Sequence, residues 1–236
     1  MFVLIRQTPA VIICIFTCLL CSKPICGYAA ENPEPAIKTG RASEKYHRWE
    51  LAGTGLSESV FIMAMRGYEK LHEKKLLRNK EVITIIDFSQ PSGEKRLYVI
   101  DLEKGLLLFH TLVAHGRNSG RERAVSFSNV PSSLASSPGF YVTGTTYQGK
   151  HGYSLRLHGC EEGWNDRAME RAIVVHGADY VSETFIQQHG LLGRSHGCPA
   201  IPTTISESII KKICAGSCFF IYAPVHTYLR NSHLLN

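Results

Sequence analysis

His176-Gly177-Ala178-Asp179-Tyr180, followed by Gly193-Arg194-Ser195-His196-Gly197-Cys198-Pro199, is the stretch whose reading decides what this chain folds into. Four apolar residues, Ala172-Ile173-Val174-Val175, lead into it. A β-branched apolar run of that kind reads as a buried strand. We therefore expect a strand that ends at His176 and leaves its imidazole at a sheet rim. The second half is made of turn-formers and carries a cysteine. A cysteine acts as a nucleophile only as the thiolate, which needs a nearby base or positive charge. The rival reading of Cys198 is a structural or disulfide cysteine. The neighbouring Ser195-His196-Gly197 and the strand-end His176 favour the nucleophile, with His176 as base.

Gly197 lets the backbone adopt unusual torsions and approach a ligand closely. Successive N–H groups in such a turn can form an anion-holding nest, and Pro199 has no N–H to add, so the nest falls on residues 196–198. The candidate catalytic set is thus Cys198, His176, His196 and Gly197. His196 lies too near Cys198 in sequence for its ring to be assigned to the thiol. It shapes the pocket, binds substrate or caps the turn. His176, His189, His196 and Cys198 are also zinc-ligand types. Their spacings match no tight ligand pair and no Cys-x-x-Cys accompanies them, so neither a metal nor a cofactor is expected. His158-Gly159-Cys160 is a second His/Cys pair, read as the end of a strand before the acidic Glu161-Glu162.

Working outward, strands are expected at Val82–Phe88, Arg96–Asp101, Leu106–Ala114, Phe140–Thr143, Ser154–Leu157, Ala172–Val175 and Phe219–Tyr222, separated by turn signals such as Gln90-Pro91-Ser92-Gly93. Helical spacing predicts a helix over Ser57–Leu71 with Ser57 as cap. Shorter helices are expected at Ser182–His189, stopped by Gly190, and at Ile205–Cys214, capped by Thr204 or Ser206. Ser126–Gly139 reads as a long, functional loop. The fold class that follows is mainly β with flanking helices, an α+β sandwich or barrel rather than a doubly wound sheet.

The 236 residues are 44% hydrophobic and 19% charged, enough for one self-supporting domain with an extension. The extension is N-terminal. Arg6, the apolar run Val11–Leu20, the break at Lys23-Pro24 and the small residues Gly27–Ala30 have the layout of a secretory signal peptide. The run is short for a membrane span, and a retained anchor is the rival. The expected organisation is a signal peptide over 1–29, a flexible leader over 30–55, a helical segment over 56–80, a catalytic domain over 81–224 and a polar tail over 225–236. Losing Arg6 and Lys23 with the signal takes the charge from +6 to +4. That mild basicity suits an anionic cell-wall polymer, and no Lys/Arg stripe supports nucleic-acid binding. Export also makes a Cys214–Cys218 disulfide possible across the Ala215–Ser217 turn.

At Ser195-His196-Gly197-Cys198, preceded by His176-Gly177, the chain resembles the L,D-transpeptidase (YkuD-like) catalytic domain. The variant Gly193-Arg194-Ser195…Gly197-Cys198-Pro199-Ala200 is similar to the murein L,D-transpeptidase branch. So are Leu108–Gly116, Ser126–Asn129 and Gly139–Thr143; the likeness covers about residues 56–224. The resemblance implies a β-sandwich and an exported cysteine enzyme of the periplasm or cell envelope. Cys198 would form a thioester with peptidoglycan stem peptides, with no stable membrane span once the signal is removed. It implies transfer to an amine, or hydrolysis as a carboxypeptidase or endopeptidase. A non-catalytic wall-binding module is the remaining alternative. Ser195, Arg194 and Gly177 are the expected substrate-binding positions.

Three features depart from the family pattern. The spacer from His176 to Ser195 is longer. Ala200 stands where many members carry Arg or Asn, and Gly177 where many carry Ser. Arg194 and Arg156 are the candidate replacement cations.

Overall fold

A computed structural model describes residues 40–236; the signal segment and the Glu31–Lys38 stretch lie outside the described residues. Eight strands form one continuous mixed sheet: β1 (Val82–Asp87), β2 (Leu97–Asp101), β3 (Leu106–Thr111), β4 (Gly139–Gly149), β5 (Gly152–Gly159), β6 (Val174–Ala178), β7 (Ala200–Pro202) and β8 (Cys218–Tyr222). Their order is β3-β2-β1-β8-β4-β5-β6-β7. The helices are α1 (Arg41–Arg48), α2 (Glu58–Glu73), α3 (Glu183–His189), α4 (Thr203–Ile213) and α5 (His226–Asn231). This is the expected α+β architecture with an N-terminal helix. No described helix is long and apolar enough to cross a membrane.

The strand pleat explains the layering. Successive residues point to opposite faces. Ile83 and Ile85 of β1 and Phe220 and Tyr222 of β8 join Phe61 and Met65 of α2 in one cluster. Ile86, Phe219 and Ile221 join Ile209, Ile210 and Ile213 of α4 in a second. Both faces are thus covered, which is why the central strands are apolar throughout rather than alternating. Ser57 caps α2 by accepting from Val60 N–H, and Ser182 caps α3 by accepting from Phe185 N–H.

Several expectations need correction. β6 does not end at His176 but runs two residues past it, because β7 pairs with its far side. β7 went unread: it is three residues long and holds Pro202, tolerable only at a sheet edge. α4 begins at Thr203, behind Pro202, without a side-chain cap. Within the span expected as leader, α1 and a 3-10 turn at Leu51–Thr54 pack Tyr46 and Leu51 into the α2 cluster. Cys160, Cys198, Cys214 and Cys218 are all free, so the Cys214–Cys218 pair is unbonded.

The segment expected as a polar tail is docked. Tyr228, Leu234 and Leu235 are buried. Their anchor is the carboxylate of Glu161, fully buried, which accepts from Phe140 N–H at 2.7 Å and Tyr228 O–H at 3.0 Å, and from the Ser232 hydroxyl. Burial raises the Glu161 pKa, and these three donors oppose the rise. Removing one donor to a buried carboxylate costs about 1.5–3 kcal/mol. Tyr228→Phe should therefore lower the unfolding free energy by that much, seen as a lower urea midpoint at an unchanged slope; an unchanged midpoint would show that the tail is not an anchored part of the core.

Candidate active site

The sheet order brings the two ends of the sequence signature together. β6 pairs antiparallel with β5 through Ser154↔His176 and parallel with β7 through His176↔Ala200. A parallel pair needs a crossover, and α3 lies in it. Cys198 therefore enters β7 two residues before the rung opposite His176. Asp179, which follows β6, accepts from the Thr203 hydroxyl at 2.9 Å and closes this corner.

His176 is almost fully buried. Its Nδ1–H donates to the Gly177 carbonyl at 2.9 Å, which leaves Nε2 as the lone-pair nitrogen. The imidazole stacks on His151, ring centroids 4.4 Å apart. Burial pushes the His176 pKa down, the Gly177 carbonyl pushes it back, and His151 and Lys150 lower it further. A neutral imidazole suits a general base.

The main chain, and not a side chain at position 177, thus orients the ring. A Cβ on Gly177 would stand 2.7 Å from Ser206 Oγ and 3.2 Å from Thr203 Cα. The sheet packs closely on α4 there, so a side chain at 177 would have to displace Ser206 Oγ. Ala200 is fully buried, and its carbonyl accepts from Ala114 N–H at 2.8 Å.

Around Cys198 the turn is built by Ser195. Its hydroxyl accepts from Gly197 N–H at 3.0 Å and donates to the Cys198 carbonyl at 2.6 Å. Its own N–H donates to the His115 carbonyl, and its carbonyl accepts from Arg117 N–H. Ser195 is 4% exposed and shapes the turn from within. Gly197 has φ +120°, open to glycine and little else. The expected nest needs one correction: Gly197 N–H is already spent on Ser195. Among the described residues, the N–H groups of His196 and Cys198 have no partner and remain to hold an anion.

The half-buried Cys198 thiol donates to the Ala172 carbonyl at 3.6 Å, and no hydrogen bond joins it to His176. Burial raises its pKa, while the Val174 N–H, Arg171 and Lys150 pull it down. Burial thus favours the uncharged form of both groups, thiol and imidazole. Ala172, a non-glycine residue at φ +53°, is strained so that its carbonyl meets the sulfur.

The other expected residues are placed as follows. His196 is exposed beside the site and reaches His151 electrostatically. His189 stays within α3, bonded to the Phe185 carbonyl and stacked on its ring. Arg194 is exposed and donates to the carbonyls of Arg117 and Gly120. Arg156 lies over the Tyr147 ring at 4.6 Å. Both candidate replacement cations are thus engaged elsewhere, and Lys150, on the β4–β5 hairpin, is a cation whose charge reaches both His176 and Cys198.

Sequence reasoning missed Lys150, His151 and Arg171. It also missed the support behind the turn. The buried Arg96 donates to His115 Nδ1 at 2.8 Å, so His115 Nε2–H faces the Gly120 carbonyl. The only sequence signal was the Leu108–Gly116 stretch, which holds His115 but gives no sign of Arg96.

The structure thus brings a cysteine in the turn before β7, two backbone N–H groups without partners among the described residues, and a buried histidine on the neighbouring strand β6 to one corner of the sheet. The sequence matches the family described as L,D-transpeptidase catalytic domain over residues 52–222, and the chain belongs to that family. No curated protein matches. Among solved structures, an L,D-transpeptidase from Mycobacterium smegmatis is similar at 13% identity and TM-score 0.37, covering 61% of this chain and 59% of that one. An L,D-transpeptidase from Stackebrandtia nassauensis shows 16% identity and TM-score 0.36 over 77% of this chain and 76% of its own. The helical cell shape determining protein Pgp2 from Campylobacter jejuni shows 13% and 0.41, over 67% and 55%. The match to the first of these spans about three-fifths of that protein's length.

Two predictions test this geometry. Burial and then Arg96 push the His115 pKa down to about 4. The unfolded chain takes up this proton near pH 6.5, the folded chain only near 4. The stability involved is thus present above about pH 6.5 and lost as pH falls toward 4, on the order of 3 kcal/mol. His115→Gln should flatten this limb of the urea-midpoint profile; equal acid sensitivity in both proteins would remove His115 as its cause. Gly177→Ser should cost about 1–3 kcal/mol by overpacking, and adding Ser206→Ala should recover part of it. Simple additivity of the two changes in unfolding free energy would rule out the contact.

Proposed function

We propose that the protein is an exported, cysteine-dependent L,D-transpeptidase acting on peptidoglycan stem peptides in the cell envelope. The observation that supports this is the His176↔Ala200 rung, two residues after Cys198, together with the buried His176 imidazole whose Nδ1–H is held by the Gly177 carbonyl. The apolar N-terminal segment and the family membership support the compartment and the substrate class.

The reaction follows from these groups. His176 Nε2 takes the thiol proton as Cys198 Sγ attacks the diaminopimelate carbonyl. The N–H groups of His196 and Cys198 receive the oxyanion. Collapse breaks the bond to D-alanine, whose amine leaves with the proton from His176, and a thioester remains. An acceptor amine then attacks the thioester, gives a proton to His176, and forms a 3-3 cross-link as the thiol is restored. Lys150 is the cation placed to meet the carboxylate of the donor peptide, in the role that Ala200 cannot take.

Tetrapeptide muropeptides incubated with the protein should give cross-linked dimers by mass. Cys198→Ala should lower that rate by roughly a thousandfold or more. Product formed at the wild-type rate would refute the nucleophile, and tripeptide alone would assign the hydrolytic alternative. Because the His176 pKa is lowered, the neutral base persists in mild acid. Activity should therefore fall only below about pH 6.5, the ordinary histidine range. A fall-off beginning above that value would contradict a neutral His176.

A further inference from the structure

Arg171 lies outside every motif in the sequence, yet it has the densest set of contacts near the nucleophile. Its Nη1 donates to the Ser128 carbonyl at 2.8 Å and to the Ser137 hydroxyl. Its Nη2 donates to the Ala135 carbonyl at 2.6 Å and to Ser133 Oγ at 3.2 Å. All four acceptors belong to the 126–139 loop. That loop is fastened to the nucleophile's turn, because Ser136 Oγ donates to the Gly197 carbonyl at 3.3 Å. The absent Cβ of Gly197 points at this junction, 2.8 Å from the Ala135 carbonyl and 3.2 Å from Arg171 Nη2. The next residue after Arg171 is Ala172, whose carbonyl receives the Cys198 thiol.

Two further facts set Arg171 apart. Among the described residues, no carboxylate pairs with its guanidinium. Its Nε is buried and has no partner. The positive charge is therefore held in place by neutral acceptors and left uncompensated. An arginine fork can bridge several carbonyls at once, whereas a lysine ammonium is a point charge on a flexible stem.

We propose that Arg171 is a positioning residue for the nucleophile: its fork clamps the 126–139 loop onto the Gly197–Cys198 turn, and its unpaired charge favours the Cys198 thiolate. This rests on the reading of Cys198 as the nucleophile. The step it assists is the transfer of the Cys198 thiol proton to His176 Nε2, which leaves the sulfur anionic and the imidazole cationic. The guanidinium gives up no proton. The other charged and titratable groups facing the sulfur are Lys150 from the β4–β5 hairpin and Tyr180, with His176 two positions along β6.

The test separates fork from charge with two variants of the full chain. Iodoacetamide alkylation of Cys198, followed by mass spectrometry against pH, reads the charge. The rate of cross-link formation reads the fork. Arg171→Gln removes both. Its alkylation midpoint should rise by about one pH unit, with a rate at pH 7 about tenfold lower. Arg171→Lys keeps the charge, so its midpoint should stay near wild type while kcat falls about tenfold, the scale of a small misplacement. An unchanged midpoint in Arg171→Gln, or an unchanged kcat in Arg171→Lys, overturns the proposal. Where Arg171→Gln fails to fold, the kcat of the lysine variant decides alone. Cys198→Ala serves as the control: if it still forms product, the nucleophile reading fails; if it is inactive while both arginine variants behave as wild type, only the role of Arg171 fails.

Discussion

The guanidinium of Arg96 is fully buried, and no carboxylate is bonded to it. Burial lowers its pKa to about 9, so it remains charged at neutral pH. A charge in that position is tolerable only if its donors are satisfied. They go to the carbonyls of Val113 and Gln90 and to His115 Nδ1, with the Phe88 ring 4.7 Å away. This fixes the 113–115 segment as a rigid ledge. Ala200 then pairs with Ala114, and Ser195 with His115. The short β7 and the Cys198 turn have little core of their own. They are held because a buried charge holds the ledge beneath them.

A second ledge stands on the other side of Cys198. Arg171, Ala172, Ile173 and Val174 supply a clamp, a carbonyl for the thiol, an apolar contact beside Gly197 and an N–H for the sulfur. Cys198 is thus enclosed by backbone from two directions. The positive φ values of Gly197 and Ala172 are the local cost of that enclosure.

Much of the scaffold was legible in the sequence, and the reasons are local. β1, β2 and β8 are β-branched or aromatic runs, and Ser57 and Ser182 are caps whose side chains do what their position predicts. The failures are non-local. β7 exists because Ala114 and His176 flank it, not because Ala-Ile-Pro favours a strand. α5 is polar in sequence and docks because Glu161 needs donors from Tyr228 and Ser232. At the candidate site, residue type and spacing single out Cys198 and His176. They do not single out Arg171, since its acceptors lie 34–43 residues earlier in an irregular loop. Ser195 and Gly177, expected at substrate positions, also carry turn geometry and close packing that the sequence did not show.

The docked C-terminal segment also bears on how the chain acquires its structure. Glu161 is joined to residues 67 and 71 positions later, and Arg66 to the Leu235 carbonyl across 169. As the chain is delivered from its N-terminal end, the carboxylate has no side-chain donors until residues 228 and 232 follow it. Until then it must stay hydrated, and the α2 face of the sheet cannot close over it. Contacts of such long range slow folding, because loop entropy is lost before they form. The nascent chain should therefore remain open until its last turn of helix emerges, a late-locking order of assembly imposed by one carboxylate.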